Sequence, residues 1–120
     1  MHTIFIADDS ELFRLTMRMA FEGQGYQVVA ASDGRDLLRR LDAQEADLII
    51  LDLNMPGLSG FDVLERLGSD PQLSQIPVLM SSGQADKETR ARCLALGARE
   101  FHPKPFSLRT LASSVEHWLA

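Results

Sequence analysis

Asp47-Leu-Ile-Ile-Leu-Asp-Leu-Asn-Met-Pro-Gly57 carries a short apolar run, Leu48 to Leu51, that stops on an acid, Asp52. So short a run, closed by Pro56-Gly57, reads as a buried strand followed by a loop. A carboxylate at the edge of a core is costly to desolvate unless something pairs with it. The same arrangement stands near the start, where Ile4-Phe-Ile-Ala7 runs into Asp8-Asp9. Two apolar runs that both end in acid point to one shared acidic site.

Working outward, short apolar runs alternate with helical patterns along the whole chain. Strands are expected at Thr3–Ala7, Gln27–Ala31, Asp47–Leu51, Ile76–Ser81 and Arg99–His102. Helices are expected at Ser10–Gly23, Gly34–Ala43, Phe61–Leu67, Ala85–Leu96 and Ser107–Leu119, with Ser10 as an N-cap and Gly97 as a left-handed C-terminal stop. Five strands alternating with five helices predict an α/β fold, a parallel sheet with helices on both faces. Right-handed crossovers favour the flavodoxin-like strand order 2-1-3-4-5. In such a sheet the crevice lies at the carboxyl ends of the strands, where strands 1 and 3 are neighbours. Asp8, Asp9 and Asp52 then share one edge.

Composition narrows the setting. The 120 residues suit a single domain, 1–120, with no output domain expected; 45% are hydrophobic and 24% charged, ordinary for a globular protein. A net charge of −5 argues against direct nucleic-acid binding. The lone cysteine, Cys93, cannot form an internal disulfide, which favours a reducing, cytoplasmic setting. The N-terminal apolar stretch is too short for a signal peptide, and no run approaches the ~20 residues that span a bilayer.

Three carboxylates at one edge repel one another. Two charges ~4 Å apart at an effective dielectric of ~20 interact by about 4 kcal/mol. A hard divalent cation with oxygen ligands offsets that, and Mg²⁺ typically uses one or two carboxylates, waters and a phosphate. Ser81-Ser82-Gly83 closes strand 4 with hydroxyls and an unhindered backbone. Lys104 follows strand 5, its backbone restricted by Pro103 and Pro105. Acids, a cation, a hydroxyl and an ammonium suit a phosphoryl group, with Asp52 as the nucleophile that forms an acyl-phosphate.

The set Asp8-Asp9, Asp52 with Asn54-Met-Pro56, Ser82, Gly97-Ala98 and Lys104-Pro-Phe106 resembles the receiver domains of two-component response regulators. The resemblance covers essentially the whole chain. It implies that Asp52 accepts the phosphoryl group from a sensor histidine kinase or a histidine phosphotransfer protein. It implies that Asp9, Asp52 and the backbone carbonyl of Asn54 ligate Mg²⁺ (Mn²⁺ as a substitute), with Asp8 acting through a metal-bound water. Ser82 matches the switch hydroxyl, Lys104 the phosphate-pairing lysine and Phe101 the switch aromatic; the Lys104–Pro105 bond is expected to be cis. Asn54 and Gln84 match positions that tune the lifetime of the acyl-phosphate. Such a protein is a signalling phosphoacceptor acting on a downstream protein target, its only catalysis being its own phosphotransfer and dephosphorylation. Two departures stand out: Ser82 replaces the commoner threonine, and Phe101 lacks a phenol.

The competing enzyme reading is an aspartate-nucleophile phosphatase of haloacid-dehalogenase type. That family's Asp-x-Asp becomes Asp52-Leu-Asn54 here, and an amide cannot protonate a leaving group. A dinucleotide- or flavin-binding domain needs a phosphate loop after strand 1, where this chain has two acids. Finally, the first helix has one apolar side too many. Phe13, Met17, Ala20 and Phe21 are expected to face the sheet, while Leu12, Leu15 and Met19 form a second stripe roughly 140° away. The resemblance places phosphotransfer partners at that helix, so the stripe is a docking candidate.

Overall fold

Residues 1–120 are described by a computed structural model. Five strands, β1 (Thr3–Ala7), β2 (Gln27–Ala31), β3 (Leu48–Asp52), β4 (Val78–Ser82) and β5 (Glu100–Pro103), form one sheet. All neighbours pair in parallel, in the order β2-β1-β3-β4-β5 expected from the alternation. The helices are α1 (Glu11–Glu22), α2 (Gly34–Ala43), α3 (Gly60–Gly68), α4 (Lys87–Ala95) and α5 (Leu108–Leu119). None is long and apolar enough to cross a membrane.

Every residue of β1, β3 and β4 is buried, as strands covered on both faces must be. Alternate residues serve opposite layers. Ile4, Ile6, Leu48, Ile50 and Leu79 pack with Met17 and Phe21 of α1 and Leu111 and Val115 of α5. Phe5, Ala7, Ile49, Leu51 and Met80 pack with Leu37, Leu41, Val63, Leu64, Leu67 and Cys93 from α2, α3 and α4. Phe13 and Ala20 are half-buried beside Met17 and Phe21, so the expected inner side of α1 faces the sheet.

Several boundaries move by one or two residues, each for a local reason. β3 begins at Leu48 rather than Asp47, because the Asp47 carboxylate accepts the Thr3 N–H at 2.7 Å and so pins the strand entry. β4 begins at Val78 rather than Ile76; a 3₁₀ turn, Leu73–Gln75, precedes it, and Pro77 has no N–H for a ladder. β5 is displaced by one, to Glu100–Pro103. α4 starts at Lys87 because Asp86 caps it, accepting the Thr89 N–H at 3.0 Å. Ser10 caps α1 as expected, and Ser107 stands at the N-cap position of α5. Gly97, φ +110°, follows the C-terminal end of α4 in the left-handed region.

α3 is set directly against the strand that carries Asp52. Gly60 N–H donates to Leu53 O at 2.7 Å, and a Cβ at Gly60 would lie 2.7 Å from both Asp52 O and Leu53 Cα. Backbone cannot retreat as a flexible side chain can. Gly60→Ala is therefore expected to cost about 1–3 kcal/mol, lowering Tm by roughly 5 °C or more. Gly83, with nothing within 4 Å of its virtual Cβ, is the control: Gly83→Ala should stay within about 0.5 kcal/mol of wild type in the same thermal melt. Equal melting of both variants would show that α3 is not seated on the β3 backbone.

Candidate functional site

β1 and β3 are neighbours, so the residues at their carboxyl ends meet. Asp8 follows β1, Asp52 closes β3, and one carboxylate oxygen from each of Asp8, Asp9 and Asp52 lies within 4.8 Å of the others. Asp8 is 1% exposed and Asp52 6%, whereas Asp9 is open to solvent. Lys104 arrives from the far edge of the sheet, just past β5. Its Nζ donates to Asp8 Oδ2 at 2.7 Å and stands 4.0 Å from Asp52 Oδ1.

The lysine is held along its length. Its N–H donates to Ser82 O at 2.8 Å, and the following peptide bond to Pro105 is cis, as expected. Its ammonium lies 4.2 Å from the ring centroid of Phe13 in α1, and that ring meets Phe106 edge-on. Two aromatics and a tethered backbone aim one charge at the acids.

The three acids differ in how they are satisfied. Asp8 Oδ1 accepts the Ser10 N–H at 2.8 Å while Oδ2 takes Lys104, so both its oxygens are committed. Asp52 has only the Asn54 N–H at 3.4 Å and the lysine at 4.0 Å. Burial, and then the Asp8 carboxylate, push its pKa up from 3.8 to about 6, with Lys104 and the Asn54 N–H pulling the other way. The donor set is all oxygen and bears three negative charges, which fits a hard cation such as Mg²⁺ and no softer metal.

The remaining expected residues surround this cluster. Ser82, fully buried, closes β4, and its Oγ accepts the Gln84 N–H at 3.0 Å. The Gln84 amide does not lie free at the site: it donates to Thr89 Oγ1 at 3.3 Å, and Thr89 donates to Asp86 at 2.7 Å. Asn54 is exposed. Phe101 is half-buried on the α4 side of the sheet, with the Arg90 guanidinium 5.4 Å from its ring centroid. Leu12, Leu15 and Met19 are 75%, 51% and 75% exposed, so the second stripe on α1 faces solvent.

Two buttressing contacts, one beside the site and one at the start of β5, carry no mark in the sequence. Arg14, from α1, donates through Nη1 to the carbonyl of Asp8 at 2.7 Å. Glu100 accepts from Ser114 Oγ and Trp118 Nε1, both at 2.6 Å, and pairs with His102 Nε2 at 3.0 Å, clasping α5 to β5. Burial works to raise the Glu100 pKa, but the bonds from Ser114, Trp118 and His102 outweigh it and hold the carboxyl below its ordinary value.

Comparison with known proteins settles the family. Residues 4–116 match the response regulator receiver domain. The phosphate regulon transcriptional regulatory protein PhoB of Rhizobium meliloti is 32% identical over 116 residues, covering 97% of this chain and 51% of PhoB. The alkaline phosphatase synthesis transcriptional regulatory protein PhoP of Bacillus subtilis is 33% identical over 113 residues, covering 94% of this chain and 46% of PhoP. The chain thus spans about half the length of these curated relatives. Among solved structures, chemotaxis protein CheY4 of Vibrio cholerae superposes with a TM-score of 0.93 at 30% identity, covering 99% of each chain. None of these supports the haloacid-dehalogenase alternative. With its sheet order, its acid edge and these relatives in agreement, the chain belongs to the receiver domains of two-component response regulators.

Proposed function

We propose that Asp52 is the phosphoacceptor of this receiver. The carrying observation is the unequal satisfaction of the three acids: Asp8 has both oxygens committed and Asp9 lies out in solvent, which leaves Asp52 as the buried carboxylate with an unspent oxygen. That oxygen attacks phosphorus of a phosphohistidine or small acyl phosphate. A P–O bond forms to Asp52 as the bond to the departing imidazole or carboxylate breaks.

Asp9, Asp52 and the Asn54 carbonyl would hold Mg²⁺ (or Mn²⁺) directly, and Asp8 through a bound water. Bound there, the cation supplies neutralisation of the phosphoryl oxygens, the main requirement of phosphoryl transfer. Lys104 exchanges its contact with Asp8 for a phosphoryl oxygen. Ser82, whose hydroxyl now accepts from Gln84, donates to another, and the Phe101 ring repacks in response. Asn54 and Gln84 tune water attack on the acyl-phosphate, and decay rates of labelled Asn54→Ala and Gln84→Ala proteins measure their share. The donor is a sensor histidine kinase or histidine phosphotransfer protein, and the output is contact with a downstream protein. The receiver is one domain, 1–120, acting in the cytoplasm as a phosphoacceptor rather than a turnover enzyme.

Acetyl phosphate with Mg²⁺ is expected to add a single phosphoryl group, read by intact-protein mass spectrometry. Asp52→Asn or EDTA abolishes it; equal labelling of that variant would rule out Asp52 as the acceptor.

The raised pKa of Asp52 has a definite sign. In the metal-free protein the Asp52 carboxyl takes up a proton as pH falls through about 6, and Mg²⁺ must displace that proton to bind, so the Mg²⁺ concentration for half-maximal labelling is expected to rise between pH 7.5 and pH 5. Because the folded pKa lies above the ordinary 3.8, the folded state holds this proton more tightly than the unfolded chain does. The ionised group therefore opposes folding above pH 6, and that opposition fades as pH falls towards 4. Without divalent cations, Asp52→Asn is expected to be more stable than wild type at pH 7.5, by up to about 3 kcal/mol, with the gap closing near pH 4. Parallel melting curves at both pH values would contradict this.

The exposed Leu12, Leu15 and Met19 stripe lies on the helix that begins beside Asp8 and Asp9, where a phosphohistidine donor would approach. Leu15→Glu is expected to slow transfer from the cognate histidine protein at least tenfold, with acetyl phosphate labelling unchanged. Wild-type transfer would show that the stripe takes no part in docking.

A further inference from the structure

We infer that Arg14 is a positioning residue for the cation site: it sets the direction in which Asp9 presents its carboxylate. The inference rests on the proposal that Asp8, Asp9 and Asp52 hold Mg²⁺. Asp9 is exposed, and its carboxylate has no hydrogen-bond or ion-pair partner in the chain, unlike Asp8. Its direction must come from the backbone on either side. Each adjoining peptide is planar, so holding one atom pair of the plane orients the rest.

Both planes are held. The Asp8–Asp9 peptide is fixed through its carbonyl, which accepts Arg14 Nη1 at 2.7 Å. The Asp9–Ser10 peptide is fixed through its N–H, which donates to Asp8 Oδ1 at 2.8 Å. Beyond Asp9, Ser10 O accepts the main-chain N–H of Arg14 at 3.0 Å, the opening bond of α1, which does not depend on the arginine side chain. The guanidinium thus holds the plane before Asp9, from a helix already seated by Met17 and Phe21. Asp9 is left two fixed planes and little choice of φ and ψ. A guanidinium suits this task because it is rigid, always charged and donates in a plane.

The rival explanation is that Arg14 merely supplies charge near three acids. The two explanations predict opposite signs. A guanidinium repels a divalent cation nearby, so removing its charge alone would tighten Mg²⁺ binding. Removing a support for Asp9 would weaken it.

The experiment is Mg²⁺ titration of the full chain by calorimetry, comparing wild type with Arg14→Met, which keeps the apolar stem, and Arg14→Lys, which keeps charge and one donor. Arg14→Met is expected to bind Mg²⁺ about 5–20-fold more weakly, with Arg14→Lys in between. In acetyl phosphate labelling, the Mg²⁺ concentration for half-maximal rate should rise by the same factor, while the rate at saturating Mg²⁺ stays within about twofold of wild type. Equal or tighter binding by Arg14→Met would overturn the inference. So would a lower saturated rate at an unchanged half-maximal concentration, which marks a general loss of structure. Should Arg14→Met not fold, Arg14→Lys decides alone: weakened binding supports positioning, and wild-type binding refutes it. Wild-type protein that took up no Mg²⁺ would instead remove the metal site itself, a separate outcome.

Discussion

Everything at the carboxyl edge of this sheet answers one electrostatic problem, the confinement of three carboxylates within 4.8 Å with two of them buried. At such separations each pair of like charges costs on the order of a few kcal/mol even with generous screening. The chain meets the cost from a distance of 96 residues, by bringing Lys104 across from β5 to Asp8. That reach requires the strand order to be what it is. β1 and β3 must be adjacent to gather the acids, and β4 must separate them from β5 so that the lysine spans the gap from outside. That sequence separation and the sheet order are thus one constraint.

The compensation is deliberately partial. Asp8 is saturated, yet Asp52 beside it keeps a long contact to Asn54 and a longer one to the lysine, and its pKa rises to about 6. A fully paired Asp52 would be more stable and less suited to the role proposed for it. An under-satisfied carboxylate beside a donor set built of oxygen is what a site for a cation and a phosphoryl group requires, and such departures from local consistency concentrate where proteins work.

Much of this was legible in the sequence, and the failures have a common cause. Short apolar runs ending in acid mark strand ends, because burial and charge change abruptly there; β1, β2 and α2 follow their expected bounds residue for residue. The acids and Lys104 were legible for the same reason, and the structure brings all four together. What was not legible involves partners chosen in space. Asp47 pairs with the Thr3 N–H, which shifts the start of β3. Gln84 matches a lifetime-tuning position, and nothing in the sequence shows that its side-chain amide bonds Thr89. Arg14 bonds a carbonyl, and every residue has one, so no pattern of side chains advertises the contact. Glu100 gathers Ser114 and Trp118 from α5 into one clasp, although they lie 14 and 18 residues downstream.

The two helices nearest β5 are attached by different forces. α5 buries Leu111 and Val115 and is clasped by Glu100 through two short bonds. α4 buries only Thr89 and Cys93. Its other side-chain attachments are the Gln84–Thr89 bond and two guanidiniums set over rings, Arg90 at Phe101 and Arg92 at Phe61. Contacts of that kind contribute about 1 kcal/mol each and are replaced by water at little cost, whereas a buried apolar side chain is not. α4 is therefore the more cheaply shifted of the two. It is also the one wired to the site, since Ser82 Oγ bonds the Gln84 N–H while the Gln84 amide bonds the first turn of α4. If the Ser82 hydroxyl turns to a phosphoryl group on Asp52, as proposed, the contact it strains is the one that leads to the more weakly held of these two helices.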